Sequence, residues 1–201
     1  LVTGYKHEKY APEGFRTRYN SDWANTNMVA SLLCAEDIID EPTIVSYSDI
    51  IYEANIVSDL ISSHGDLCIS YDQDWLSLWK ARFENPLSDA ESFKIDRTHR
   101  ITEIGKQVKD LDEIEGQYIG LLRFNSNSIS WARDVITSDR SLLSNLDMTG
   151  LLNRLILAGR TIQGVGVRSG WCEIDSPTDL VVAEKLLQKG RLNIFPALNQ
   201  D

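Results

Sequence analysis

Residues 171–190 have the sequence WCEIDSPTDLVVAEKLLQKG, and this stretch predicts a strand, a polar turn and a helix in succession. The apolar start is typical of a strand that ends before Asp175. Ser176 is a favoured helix cap, Pro177 suits the first helical position, and an acid follows the cap by three residues. Gly190 is the expected helix stop. A strand followed directly by a helix is the unit from which α/β sheets are built.

Short apolar strands and amphipathic helices alternate through the rest of the chain. The expected strands are Thr43–Tyr47, Leu67–Ser70, Tyr118–Phe124 and Thr161–Val167, and the expected helices are Thr26–Asp40, 55–63, Trp75–Phe83, 127–136 and a segment ending at Ala158. Phe93–Asp96 and Arg100–Ile104 flank a tight turn, which predicts an antiparallel hairpin. The pattern predicts a single α/β domain over 1–201, with a mixed, mostly parallel sheet flanked by helices and a small hairpin region.

The chain is acidic, because 20 lysine and arginine residues and 30 aspartate and glutamate residues give it a net charge of −10. Nucleic acids and anionic membranes require cationic surface, so we expect neither as a main partner. No apolar run approaches the ~18 residues that span a bilayer. The cysteines Cys34, Cys68 and Cys172 lack metal-binding spacing, which favours free thiols in a reducing cytoplasm.

Two aspartates follow expected strands, at the positions where open α/β sheets bind ligands. Asp49 comes after the strand that ends at Tyr47, and Asp175 lies directly before the capped helix. If the two strands are neighbours, the carboxylates converge and could hold Mg²⁺ together with substrate phosphates. The alternative is that each is an ordinary turn or cap residue.

Charged loops supply further candidates. Lys106 follows a glycine at the end of the expected hairpin, where its ammonium could face a phosphate. Glu113 and Glu115 lie beside Gly116, where the backbone could approach a ligand and the carboxylates could receive an ammonium. The alternatives are a solvated lysine and a solvated acidic loop.

The segment from Trp75 to Phe83 carries two tryptophans and an arginine at near-helical spacing. Trp79 and Arg82 could line a pocket for a small cation or a ring. Aromatic stripes of this kind more often belong to a hydrophobic core.

Several blocks, taken in order, resemble the nucleotidyltransferase family, whose members join nucleoside triphosphates to sugar phosphates and small phosphorylated alcohols. The blocks are Val2–Tyr5, Asn20 with Thr26–Leu32, Val45–Tyr52, Ile101–Lys106, Glu115–Gly120, Asp147–Thr149 and Gly170–Leu180. The resemblance implies a Rossmann-like fold and Mg²⁺ as the cofactor. It also implies that Asp49 and Asp175 bind the metal and act in catalysis with Lys106. The residues expected to bind substrate are Asn27, Ser48, Trp79, Arg82, Glu113, Glu115 and Trp171.

Trp75–Glu91 is similar to a branch of small-molecule cytidylyltransferases. That resemblance implies transfer of CMP from CTP to a phosphocholine-like, aminoalkylphosphonate or phosphoamino-acid acceptor, with release of pyrophosphate. A sugar-1-phosphate nucleotidyltransferase and a non-catalytic binding module are the alternatives. The oligomeric state stays open, with a homodimer as one option.

The family resemblance also predicts a missing segment. Its members open with a strand, a glycine-rich loop carrying an arginine, and a lysine beyond it, and Leu1–Asp201 contains no such segment. A strand, a helix and a second strand need ~30 or more residues. We therefore expect a segment of about that size before Leu1, and a truncated relative is the alternative.

Overall fold

The structure is a computed structural model that describes residues 1–10 and 14–194. Its helices are α1 (Met28–Leu33), α2 (Ala54–Ser62), α3 (Trp75–Arg82), α4 (Ser126–Ser138), α5 (Met148–Leu157) and α6 (Pro177–Gln188). Its strands are β1 (Val2–Thr3), β2 (Arg18–Tyr19), β3 (Thr43–Ser46), β4 (Ile50–Tyr52), β5 (Leu67–Asp72), β6 (Glu91–Ile95), β7 (Ile101–Gln107), β8 (Gln117–Phe124), β9 (Ile162–Val167) and β10 (Trp171–Glu173). None of the helices in this described part is both long enough and apolar enough to cross a bilayer.

The chain divides into two compact units, of which the first comprises Leu1–Thr43 and Phe124–Arg160. In this unit β1 pairs in parallel with β2. The helices α1, α4 and α5 pack against one another and bury an aliphatic core. The second unit comprises Ile44–Arg123 and Thr161–Asp201 and contains the remaining elements. The expected single domain stays a prediction.

The second unit is built on a four-stranded sheet in the order β3-β8-β5-β9. Strand β5 is buried along its whole length and runs parallel to β9 and antiparallel to β8, so the sheet is mixed. Strands β6 and β7 form the expected antiparallel hairpin. Strand β4 pairs antiparallel with β10. The α/β class with a mixed sheet and a hairpin is confirmed, but the expected predominance of parallel pairing is not, because β4–β10, β5–β8 and β6–β7 are antiparallel.

The expected long helix over Thr26–Asp40 is wrong, because α1 ends at Leu33 and a short 3-10 turn follows at Glu36–Ile38. The apolar residues do continue at helical spacing. The acids of the turn, however, are held by ion pairs of 2.7 Å, from Arg133 to Glu36 and from Arg18 to Asp37. These contacts favour the tighter turn over continued α-helix.

Gly120 allows β3 to continue into the turn that carries Asp49. Its φ of +79° lies in the left-handed region, and a Cβ there would come within 2.9 Å of the Tyr47 ring. The backbone N–H of Tyr47 also donates to the carbonyl of Gly120 at 2.9 Å. The missing side chain therefore lets Tyr47 pack closely against β8.

We predict that Gly120→Ala lowers the free energy of unfolding by about 3 kcal/mol, since the strained φ and the clash add together. Gly159→Ala is the matched control, because Gly159 has a φ of +76° and nothing within 4 Å of an added Cβ. The control should lose only about 1 kcal/mol of unfolding free energy, because it has the strained φ without the clash. Urea denaturation of both variants measures the difference, and equal losses would show that Tyr47 does not pack on Gly120.

Candidate active site

Asp49 and Asp175 lie at the same end of the β4–β10 strand pair. Asp49 precedes β4 by one residue, and Asp175 follows β10 by two. The pairing continues past the strands, because the N–H of Ile174 donates to the carbonyl of Asp49 at 2.8 Å. Asp49 is exposed, and the Asp175 side chain is 53% exposed. The structure thus places the two aspartates that the sequence singled out at one end of this strand pair, and their binding of a metal stays a prediction.

Glu173 is a third acid at this end. Burial raises its pKa, the hydrogen bond and charge of Arg82 lower it, and the negative charges of Asp175 and Asp49 raise it again. The net pKa of Glu173 is above its ordinary value. This end of the strand pair therefore holds three acids whose charges disfavour one another, and a nearby cation would relieve that repulsion.

Arg82, the last residue of α3, binds three carboxylates at once. Its side chain has no exposed surface, and it lies 2.7 Å from Glu173, 2.9 Å from Asp175 and 2.9 Å from Asp179. Burial works to lower the pKa of Arg82, but the hydrogen bonds that it donates to Asp179 and Glu173, together with their negative charges, outweigh burial and raise the pKa. The guanidinium is therefore permanently charged and joins α3, β10 and α6.

Asp179 completes this cluster from the first turn of α6. It accepts hydrogen bonds from the N–H and Oγ of Ser176, in a capping box with that residue. Burial raises the pKa of Asp179, but the hydrogen bonds that it accepts from Arg82 and Ser176 outweigh burial. The net pKa of Asp179 is below its ordinary value. Asp179, the acid of the capping box predicted from sequence, is thus also a partner of Arg82.

The predicted aromatic substrate contacts lie inside the second unit. Trp79 is 4% exposed and Trp171 is 2% exposed. The indole N–H of Trp79 donates to Asp89 at 3.0 Å, and that of Trp171 donates to Asp72 at 2.9 Å. Direct contact of these rings or of Arg82 with a substrate stays a prediction, and the structure gives all three an internal packing role.

The predicted charged loop residues have other partners. Lys106 lies on β7 and forms an ion pair of 2.6 Å with Glu103, and its side chain is 54% exposed. Glu115 accepts a hydrogen bond of 2.8 Å from the N–H of Ile95, while Glu113 is exposed. The roles assigned to these residues stay predictions.

Asn27 and Ser48 are the remaining predicted substrate contacts. Asn27 lies in the first unit and caps α1, where its Oδ1 accepts from the N–H of Met28 at 2.7 Å and its Nδ2 donates to the carbonyl of Asn145 at 3.3 Å. Ser48 is exposed in the second unit, next to Asp49. The contacts of Asn27 are those of a structural cap, and the binding roles of both residues stay predictions.

Sequence reasoning missed Glu173 and Asp179. Glu173 could have been found from the strand period of two. In an extended chain, residues two positions apart lie on the same side, so Glu173 is expected on the side of Asp175. Asp179 was recognised only as a cap residue, because its contact with Arg82 spans 97 positions and leaves no local signal.

A divalent metal would need ligands from outside the protein here. Within the residues that the structure describes, no group of three or more His, Cys, Asp or Glu side chains could hold an ion. Asp49 and Asp175 supply the hard oxygen ligands that Mg²⁺ prefers, and Mg²⁺ is commonly bound by one or two carboxylates plus substrate phosphates and waters. Arg82 engages only Oδ2 of Asp175. The donor set therefore fits a divalent cation that arrives with a phosphate substrate.

Comparison with curated proteins decides the family. The CTP:phosphoglutamine cytidylyltransferase of Campylobacter jejuni is 37% identical over 177 residues, which cover 81% of this chain and 69% of that protein. The chain belongs to the nucleotidyltransferase family. No protein-family model matches it.

Solved structures of nucleotidyltransferases share the fold. The inositol-1-phosphate CTP transferase from T. maritima has a TM-score of 0.72 and 14% identity, covering 98% of this chain and 78% of its own. A Bacillus anthracis protein described as a glucose-1-phosphate thymidylyltransferase, in complex with a sucrose, has a TM-score of 0.67 and 16% identity. The match covers 92% of this chain and 74% of that protein. The expected Rossmann-like nucleotidyltransferase fold is thereby confirmed.

We predict that Arg82→Met lowers the free energy of unfolding by about 3 kcal/mol at neutral pH, because it leaves the buried carboxylate of Asp179 and the partly buried one of Glu173 without their counter-charge. This loss of unfolding free energy should become smaller as the pH is lowered from about 8 to about 5. In the variant the acids of the cluster have raised pKa values, and a carboxyl whose folded pKa is raised contributes stability at low pH that is lost as the pH rises. Urea denaturation at both pH values measures this.

Arg133→Met is the control for this experiment. Arg133 pairs with Glu36 at 2.7 Å, but both side chains are partly exposed, at 49% and 33%. Its loss should be below about 0.5 kcal/mol and nearly independent of pH. A pH-independent loss in Arg82→Met would contradict the account of the cluster given above.

Proposed function

We propose that this nucleotidyltransferase transfers CMP from CTP to the phosphate of a small phosphorylated acceptor. An acceptor oxygen forms a bond to the α-phosphorus, the bond to the β-phosphate oxygen breaks, and pyrophosphate leaves. The observation that carries the proposal is the position of Asp49 and Asp175 at one end of the β4–β10 pair, in a chain that is 37% identical to a CTP:phosphoglutamine cytidylyltransferase.

Enzymes of this kind generally use a divalent metal ion, and we take it to be Mg²⁺. When bound, it would supply charge neutralisation on the phosphate oxygens. Asp49 and Asp175 would hold it from adjacent chain segments. Arg82 fixes the Asp175 carboxylate through Oδ2 and prevents repulsion among the acids from splaying this end of the site. Such positioning is a large part of phosphoryl-transfer catalysis.

Lys106 is the candidate for the acceptor phosphate. Its ammonium lies on a flexible, exposed stem, and its present partner Glu103 is a surface residue with a 26% exposed side chain. A surface ion pair of this kind is weak and is easily exchanged for a phosphate. Lys106 would then add a point charge to the acceptor during attack.

The acceptor we favour is of the phosphoamino-acid type. Support comes from the named activity of the curated relative and from the acidic surface around Glu173. An ammonium on the acceptor would be attracted to that surface. Sugar 1-phosphates are the competing acceptors, and they lack such an ammonium.

We place the protein in the cytoplasm as part of this proposal. Cys34, Cys68 and Cys172 are all free thiols, and burial raises the pKa of Cys172 to about 11. Unpaired cysteines are usual in a reducing compartment, where nucleoside triphosphates are also found.

An acceptor panel tests the activity. The full-length gene product is incubated with each of the four common nucleoside triphosphates and with phosphoglutamine, choline phosphate, aminoethylphosphonate, inositol 1-phosphate or glucose 1-phosphate, and pyrophosphate release is measured. We expect turnover with CTP and phosphoglutamine, and the lowest turnover with glucose 1-phosphate. CTP binding without turnover on any acceptor would instead support a non-catalytic module.

We predict that Asp49→Asn and Asp175→Asn each lower kcat/KM by at least about 100-fold, since each removes one charged metal ligand. Mn²⁺ titration followed by electron paramagnetic resonance should show weaker binding of the ion in both variants. Asp59→Asn is the control, because Asp59 is an exposed acid on α2 in the same unit. Unchanged Mn²⁺ affinity in the first two variants would refute the metal assignment.

A further inference from the structure

A cavity of about 590 Å³ opens between α3 and α6 in the second unit. Both helices and the start of β10 give it an apolar wall, formed by Leu78, Ala81, Val182, Leu186 and Trp171. This volume lies within the ~300–1,000 Å³ of typical small-molecule sites. The space therefore suits a small organic molecule.

The cavity is separate from the carboxylates of the proposed active site. Trp171, at the start of β10, lines the cavity, whereas Asp175 follows the other end of that strand. Helix α6 begins at Pro177, close to Asp175, and lines the cavity from Val182 onward. The first cation of α6 in the cavity, Lys185, lies about 12 Å from Pro177 along the helix axis. The cations of the cavity are thus distant from the start of α6.

Cations without partners surround the cavity. Lys185, Lys189 and Arg191 line it, and in the described part of the chain none of their side chains makes an ion pair or a hydrogen bond. Lys185 and Lys189 lie one helical turn apart, so their charges repel each other. In a chain with a net charge of −10, this is a concentrated positive surface.

The two acids in the cavity wall already have partners. Asp74 forms an ion pair of 3.1 Å with Arg168. Asp72 is 3% exposed and accepts from the indole of Trp171 and from the N–H of Asp74. A ligand would therefore meet the charges of the unpaired cations.

The turn that closes one side of the cavity is strained. Ser169 has a φ of +101°, although it is not glycine, and it lies between Arg168 and Gly170 in the wall. Backbone strain of this kind persists where the surrounding structure enforces it, and it is frequent at ligand sites. It holds Arg168 at the rim beside Asp74.

We propose that this cavity is a second binding site, for a small organic anion that combines a phosphate or carboxylate group with an apolar or aromatic body. The charged group would contact Lys185, Lys189 and Arg191, and the body would lie against Trp171 and Leu78. The bound anion would join α3 to the C-terminal half of α6. This site does not depend on the proposed transfer of CMP.

The test uses anilinonaphthalene sulfonate, a fluorescent anion with an aromatic body. The full chain should bind it saturably, and Lys185→Gln/Lys189→Gln should weaken binding about fivefold, because two surface charge contacts are lost. Arg97→Gln/Lys109→Gln is the matched control, since it removes the same charge from exposed positions outside the cavity. Phenyl phosphate should displace the dye, and benzyl alcohol at equal concentration should not.

Equal dye affinity in the two double variants, or no saturable binding, would overturn the proposal and leave the lysines as partners of the helix C-terminus alone. Both double variants should keep the melting temperature of the parent, which excludes unfolding as the cause of weak binding. Pyrophosphate release by Lys185→Gln/Lys189→Gln should equal that of the parent. Dye binding thus tests the second site, and pyrophosphate release separately tests the transfer of CMP.

Discussion

The ion pairs of Arg82 are the constraint on which the second unit depends most. A guanidinium without exposed surface is very unfavourable unless its donors are satisfied, and here Nε, Nη1 and Nη2 each contact a different carboxylate. The three acids would repel one another without it. The helices α3 and α6 and the strand β10 are therefore held in one arrangement by a single charge, and a hydrophobic contact could not supply the same directionality.

This constraint places the active-site acids on a supported frame. Asp175 is both a partner of Arg82 and a proposed metal ligand, while Asp49 is brought beside it by the β4–β10 pairing and by the packing of Tyr47 on Gly120. The carboxylate of Asp175 is thus held by Arg82 on one side, while its side chain is 53% exposed and open to the proposed metal. Catalytic sites of high precision are commonly supported in this way.

Local patterns in the sequence were enough for most of the fold. The capped helix α6, the hairpin and the buried strand β5 each carry a signal within about ten residues. Strand direction has no such signal, so the antiparallel position of β8 had to come from the structure. In the candidate site, Asp49 and Asp175 could be singled out because strand ends are recognisable in the sequence. The partners of Arg82 were not, because ion pairs across 91 to 97 positions leave no periodicity. For Trp79, residue type alone could not separate core from ligand contact.

The long separation within the Arg82 cluster also has a consequence for synthesis of the chain. The arginine leaves the ribosome before Glu173, Asp175 and Asp179, which follow it by 91, 93 and 97 positions. At ordinary rates of translation, this delay lasts about 5 to 20 s. Strand β9, which completes the central sheet beside β5, also comes late in the chain. The second unit therefore cannot form the cluster before α6 has emerged, and its nascent form must keep Arg82 in water until then.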